Sequence, residues 1–104
     1  MRVNVETRAI RASARLATRL GMNQAEALGR LVFLWESSQD EEVTQAFPID
    51  LVTWFYPDYN LDIIDMKVFL AAMEECNFLK EHNDGYYEIC GNSKHVKKLE
   101  HTRS

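Results

Sequence analysis

Phe78-Leu79-Lys80-Glu81-His82, then Asn83-Asp84-Gly85, then Tyr86-Tyr87-Glu88-Ile89-Cys90: this stretch decides the fold class. The two outer runs are built from residues that suit strands, and Asp84-Gly85 between them supplies the residues that tolerate the positive φ of a tight hairpin. Working back from this hairpin, the pattern changes from period two to period three or four. Ile63, Met66, Phe69, Leu70 and Met73 mark the buried stripe of a helix that Asn60 or Asp62 is placed to cap and that runs to about Glu75. Pro48 opens a shorter helix containing Leu51, Val52, Trp54 and Phe55, and Pro57 ends it. These two helices, joined by a tight turn over 57–60, have the dimensions of a helix-turn-helix.

Further back, 40–47 reads as an acidic loop. Before it, Leu28, Leu31, Val32, Leu34 and Trp35 stand at helical spacing in a helix over 25–38. Asn23 offers its N-cap, with Glu26 three residues on as in a capping box. This helix is apolar around much of its circumference, which makes it the central core helix, and Gly29 within it would permit close approach of a neighbour. A first helix over 9–20 ends at Gly21, and Arg8, Arg11, Arg15 and Arg19 share one of its faces. Val3 and Val5 alternate in a short strand or extended arm over 2–7. The expected class is mainly α with a small β-hairpin, in the order of a winged helix-turn-helix. Residues 1–91 form the domain and 92–104 a basic tail or short helix.

At 104 residues the chain holds one domain. Its net charge of -4 hides a segregation. Residues 1–35 carry six arginines against two glutamates, residues 36–88 thirteen acids against two lysines, and residues 89–104 four cations against one glutamate. The ends are basic and the middle is acidic, so a basic face is compatible with an acidic total. Two cysteines are too few for a disulfide framework, and neither a membrane-spanning run nor a signal-peptide core is present. A cytoplasmic protein is the expectation.

Several segments together resemble the opening of phage and prophage DNA-replication proteins of the initiator and replisome-organiser type. They are Val3-Asn4-Val5-Glu6-Thr7, Leu20-Gly21-Met22-Asn23-Gln24-Ala25-Glu26-Ala27-Leu28-Gly29, Leu34-Trp35, Cys76-Asn77-Phe78-Leu79, and Ile89-Cys90-Gly91-Asn92 before a lysine-rich run. The resemblance implies an N-terminal winged-helix domain that binds origin DNA or assists helicase loading and precedes a longer basic part. It brings no catalytic residue. The expected base-reading helix departs from a DNA reader: it exposes Asp65, Lys67, Val68, Ala71, Glu74 and Glu75, and acids repel phosphates.

The candidate DNA contacts are therefore Arg8, Arg11, Arg15 and Arg19 on the first helix, Lys67 and Lys80, and Lys94, Lys97, Lys98 and Arg103 in the tail. The alternative for the arginine row is a solvated face, salt-bridged to the acidic loop. Trp54, Tyr56 and Tyr59 are the candidate protein interface, since four aromatics in 54–59 do not all point inward from a short helix. Cys76, His82, Cys90 and His95 lack a paired metal-ligand spacing, so neither metal nor cofactor is expected. No phosphate-binding glycine loop, nucleophile elbow or HExxH motif is present, which points away from catalysis. Three functions stay open: a DNA-binding domain gripping mainly the phosphate backbone, a module of the same fold holding a replication partner or its own copy, and a transcriptional regulator.

Overall fold

The structure is a computed structural model that describes residues 7–90, with side chains from Ala9 onward. The described chain is mainly helical with a small three-stranded antiparallel sheet. In order, α1 is Thr7–Leu20, α2 Gln24–Asp40, β1 Gln45–Ala46, α3 Pro48–Phe55, α4 Met66–Glu75, β2 Leu79–Glu81 and β3 Tyr87–Ile89, with a 3-10 turn over Leu61–Ile63 before α4. The expected arm over 2–7 lies outside the described residues except for Thr7, which opens α1.

Local chemistry accounts for the helix ends. Gly21 takes φ +71°, and the Met22 N–H reaches back to the Ala17 carbonyl at 2.9 Å, which closes α1. The Asn23 side chain accepts from the Glu26 N–H at 2.8 Å and starts α2. The second arm of the expected capping box is used elsewhere, because the Glu26 carboxylate takes the Arg30 guanidinium. At the end of α4, Asn77 adopts φ +63° and the Phe78 N–H bonds the Met73 carbonyl at 2.8 Å.

Two expectations about the middle of the chain are corrected. The loop over 40–47 contains β1, whose Gln45 and Ala46 pair with Glu88 and Tyr87. The hairpin is thus the β2–β3 part of a larger sheet ordered β1-β3-β2. The fourth helix starts later than its apolar stripe suggests. Asn60 caps only the 3-10 turn through the Asp62 N–H, and Ile64 is extended. Asp65 then accepts from the N–H groups of Lys67 and Val68 and nucleates α4 afresh. Residues 56–65, rather than a tight turn, separate α3 from α4.

α2 packs against both α1 and α3 and carries the core: Ala27, Leu31, Leu34 and Trp35 are buried along one side of it. Leu16 and Ala17 cover it from α1, Leu51, Val52 and Phe55 from α3, and Phe69 and Met73 from α4. Phe78, leading into β2, places its ring 6.2 Å from that of Trp35. Gly29 makes no close helix approach, since a Cβ there would meet nothing within 4 Å. Gln39 is also buried, one turn along from Trp35. Among the described residues neither its amide nor the Trp35 indole N–H has a hydrogen-bond partner. No helix among the described residues is long and apolar enough to cross a membrane.

Leu34→Ala removes a fully buried side chain from this core and is expected to cost about 2–5 kcal/mol in urea unfolding. Ile49→Ser, at a position 53% exposed, should change stability by less than about 0.5 kcal/mol.

Candidate functional site: the outer face of α4 and its surroundings

The long connection from α3 to α4 is held by one buried cation. Arg30 projects from α2, where its Nη1 donates to the Phe55 carbonyl at 3.2 Å and to Asp58 at 2.8 Å, and its Nη2 reaches the second Asp58 oxygen at 3.3 Å. Its Nε donates to Glu26 one turn back, and its guanidinium lies over the rings of Tyr56 and Tyr59, 5.1 and 4.6 Å from their centroids. The Phe55 carbonyl is one that α3 leaves unpaired at its C-terminus, so the arginine caps that helix while it fixes the turn after it. The hydrogen bond to Arg30 holds the Asp58 carboxyl below its ordinary range, and the same bond is the main cause that raises Arg30 further. Burial pushes the Tyr56 hydroxyl up.

Once this connection is fixed, a groove opens between it, the α1–α2 corner and α4. Leu20, Met22, Tyr56, Ile63, Ile64, Val68 and Phe69 line it together with Arg19, Glu26, Tyr59 and Asp65. It adjoins a second hollow along the α1–α4 seam, lined by Val68, Ala71 and Ala72 and bounded by Arg19 and Glu75. Ile63 is 71% exposed and Val68 49%, so apolar side chains stand out beside the groove. The exposed face of α4 is completed by Lys67, Ala71 and Glu75, with Asp65 before them.

The expected aromatic interface is divided. Tyr56 is buried at 7% exposure, with its ring 5.9 Å from that of Phe69, whereas Tyr59 stays exposed over Arg30. Trp54 faces a different hollow, which it shares with Phe47 and Tyr86; these last two rings stack at 3.9 Å. Phe55, not Trp54, is the aromatic that α3 buries fully.

The expected arginine row is divided as well. Arg11 and Arg15 are exposed on α1. Arg19 forms its ion pair with Glu75 at the end of α4, not with the acidic loop over 40–42. Arg15 and Arg19 both lie close enough to Cys76 to oppose the upward shift that burial imposes on its thiol. Lys67 is exposed on α4, and Lys80 is exposed on β2 opposite Glu88. The Arg8 side chain and Lys94, Lys97, Lys98 and Arg103 lie outside the described set. Residues 7–90 carry seven arginines and lysines against fourteen carboxylates, so the folded body bears a charge of -7 and all basic excess belongs to the ends.

His82 pairs with Glu88 at 3.1 Å across the hairpin, and Cys76 is buried behind α4. No group of three or more His, Cys, Asp and Glu side chains gathers to hold a metal among the described residues. Sequence reading missed Arg30 and Asp58, and it placed Ile63 in the buried stripe of the fourth helix, whereas Ile63 lies in the 3-10 turn before α4 and is exposed. The one available signal was the spacing of Glu26 and Arg30, four apart on one helix.

Arg30→Met should cost about 1–3 kcal/mol in urea unfolding, because it orphans the Phe55 carbonyl. Arg30→Lys should not restore it, since an ammonium does not reproduce the fork that spans both Asp58 oxygens. The pH dependence has a definite sign. A carboxyl whose folded pKa is depressed contributes stability above its unfolded value, and that contribution is lost as pH falls through the depressed value. Thermal melts of Asp58→Asn should therefore lose less stability on acidification than those of the unsubstituted protein.

Compared with protein-family models, with curated proteins and with solved structures, the chain matches none of them.

Proposed function

We propose that the chain is a winged helix-turn-helix domain of the kind that opens phage replication proteins, and that it holds DNA by phosphate contacts from its basic ends rather than by reading bases with α4. The fold reading is supported by the run α2-β1-α3-α4-β2-β3, with β1 joining the hairpin in the order β1-β3-β2. In that arrangement α4 occupies the place of the base-reading helix and β2–β3 that of the wing. The role is binding, not catalysis, and a replication role places the protein in the cytoplasm.

The separation of charge carries the functional reading. A body of charge -7 repels phosphates, and the exposed face of α4 offers Val68, Ala71 and Glu75, with Lys67 alone from the set Arg, Lys, Asn and Gln that base readout calls for. Arg11 and Arg15, four residues apart on α1, and Lys94, Lys97, Lys98 and Arg103 in the tail are the groups suited to backbone contact. The same α4 face argues against a sequence-reading transcriptional regulator. It favours, as a second reading, a protein-interaction module that does not touch DNA.

Fluorescence anisotropy with labelled duplex and single-stranded DNA at low and physiological salt tests the proposal. The expected result is binding at roughly 10⁻⁴ to 10⁻⁶ M that weakens steeply with salt. It should be lost on Lys94, Lys97 and Lys98→Ala and unchanged on Lys67→Ala. Arg11 and Arg15→Ala should lower the magnitude of the salt slope by about 2. Absence of binding to either DNA at low salt would leave the protein-interaction reading. Loss of sequence-selective binding on Lys67→Ala would return base readout to α4.

A further inference from the structure

The groove beside α4 mixes exposed apolar side chains with charged ones, where Glu26 and Asp65 outnumber Arg19. Ile63 and Val68 stand exposed and line it with Tyr56 and Phe69. The charges near it are not balanced. Arg19 is matched by Glu75, Arg30 faces both Glu26 and Asp58, and Lys67 stands on the same stretch as Asp62 and Asp65. Three cations against five carboxylates leave the surroundings at -2.

We infer that this groove is a docking site for a lysine- or arginine-bearing amphipathic helix of a protein partner. α4 spans ten residues, about 15 Å, which matches between two and three turns of a helix laid along it. Apolar side chains at i, i+3 or i+4, and i+7 of such a ligand meet Ile63, Val68 and the Ala71–Ala72 seam. The two alanines let the ligand backbone come close, and the Arg19–Glu75 pair bounds the far end. Cationic residues flanking the apolar stripe face Asp62 and Asp65. Nucleic acid is the wrong occupant, because those carboxylates repel it. A second copy docked α4 against α4 is also disfavoured, because two-fold symmetry would bring together two surfaces that carry the same acidic excess. This inference uses a surface distinct from the basic ends and stands whether or not they bind DNA.

The test uses the full chain and a synthetic peptide of leucine and lysine at helical spacing, with its leucine–glutamate counterpart as the charge control. The lysine peptide should bind, more weakly at high salt, and should shift backbone amide NMR signals of 20–22 and 59–71. The glutamate peptide should not bind. Ile63→Ser with Val68→Ser should weaken binding at least about tenfold through lost apolar burial, while Ile49→Ser should leave it unchanged. No binding of the lysine peptide overturns the inference, as do shifts centred on Phe47, Trp54 and Tyr86, or full affinity in the Ile63 and Val68 variants. If groove signals move with protein concentration alone, the occupant is a second copy. If they move on Lys94, Lys97 and Lys98→Ala without peptide, it is the chain's own tail. Either result overturns the proposal.

Discussion

The architecture around α4 depends on where Arg30 puts its guanidinium. Residues 56–65 contribute few fully buried apolar side chains: Leu61 and Ile64 are only partly covered, and Ile63 is exposed. Apolar burial alone would hold such a segment weakly. A buried arginine supplies what it lacks: direction. Its fork satisfies the last carbonyl of α3, grips both oxygens of Asp58 and lies over two tyrosine rings. Taking a cation out of water is costly, and here that cost is offset because the guanidinium satisfies the Phe55 carbonyl and both Asp58 oxygens at once. What the ion pair adds is one defined path for the chain between α3 and α4, and that path sets the groove.

α1 and α4 are tied by a second electrostatic constraint. α4 begins favourably, with Asp65 accepting hydrogen bonds from its first free N–H groups. It ends unfavourably, with Glu74 and Glu75 in its last turn and no basic residue there. Carboxylates at a helix C-terminus oppose its dipole. The correction comes from α1, whose Arg19 pairs with Glu75 and whose Arg15 lies near Cys76. The basic N-terminal third and the acidic middle of the sequence are thus partly complementary within the fold. Part of what reads as a phosphate-binding row is engaged in holding the fourth helix.

The elements legible in the sequence are those whose signals are local. α2 is announced by Asn23 and a dense apolar period, and the hairpin by Asp84-Gly85, where Gly85 indeed takes φ +86°. β1 was hidden because two residues, Gln45 and Ala46, carry no period, and their strand character comes from pairing with β3 over forty residues later. The start of α4 was misplaced because Asn60, Asp62 and Asp65 are all competent caps, and only the hydrogen bonds distinguish them. For the candidate site, the exposed character of α4 was readable from helical phase. The groove was not, since it needs the α1–α2 corner and the Arg30 clamp to be brought beside it. The aromatic cluster misled for a related reason. Tyr56 goes inward because it follows the last residue of α3, where the chain turns back over Phe69, and helical phase does not extend past that point.

The two kinds of binding reading are compatible because the charge that serves each is confined to a different part of the chain. Electrostatic attraction to DNA acts over about a Debye length, near 8 Å at physiological salt. A body of charge -7 therefore works against any phosphate contact made close to α4 or the hairpin, where Asp65, Glu75, Glu81 and Glu88 are exposed. Contacts proposed for the tail would feel that repulsion least with DNA placed away from the α4 face. Under the proposed DNA reading, that repulsion would turn the α4 face and its groove away from the duplex. A basic helix approaching that groove is attracted by the field that rejects the duplex. Discrimination between the two ligands then requires no contact that either one must sense in the other.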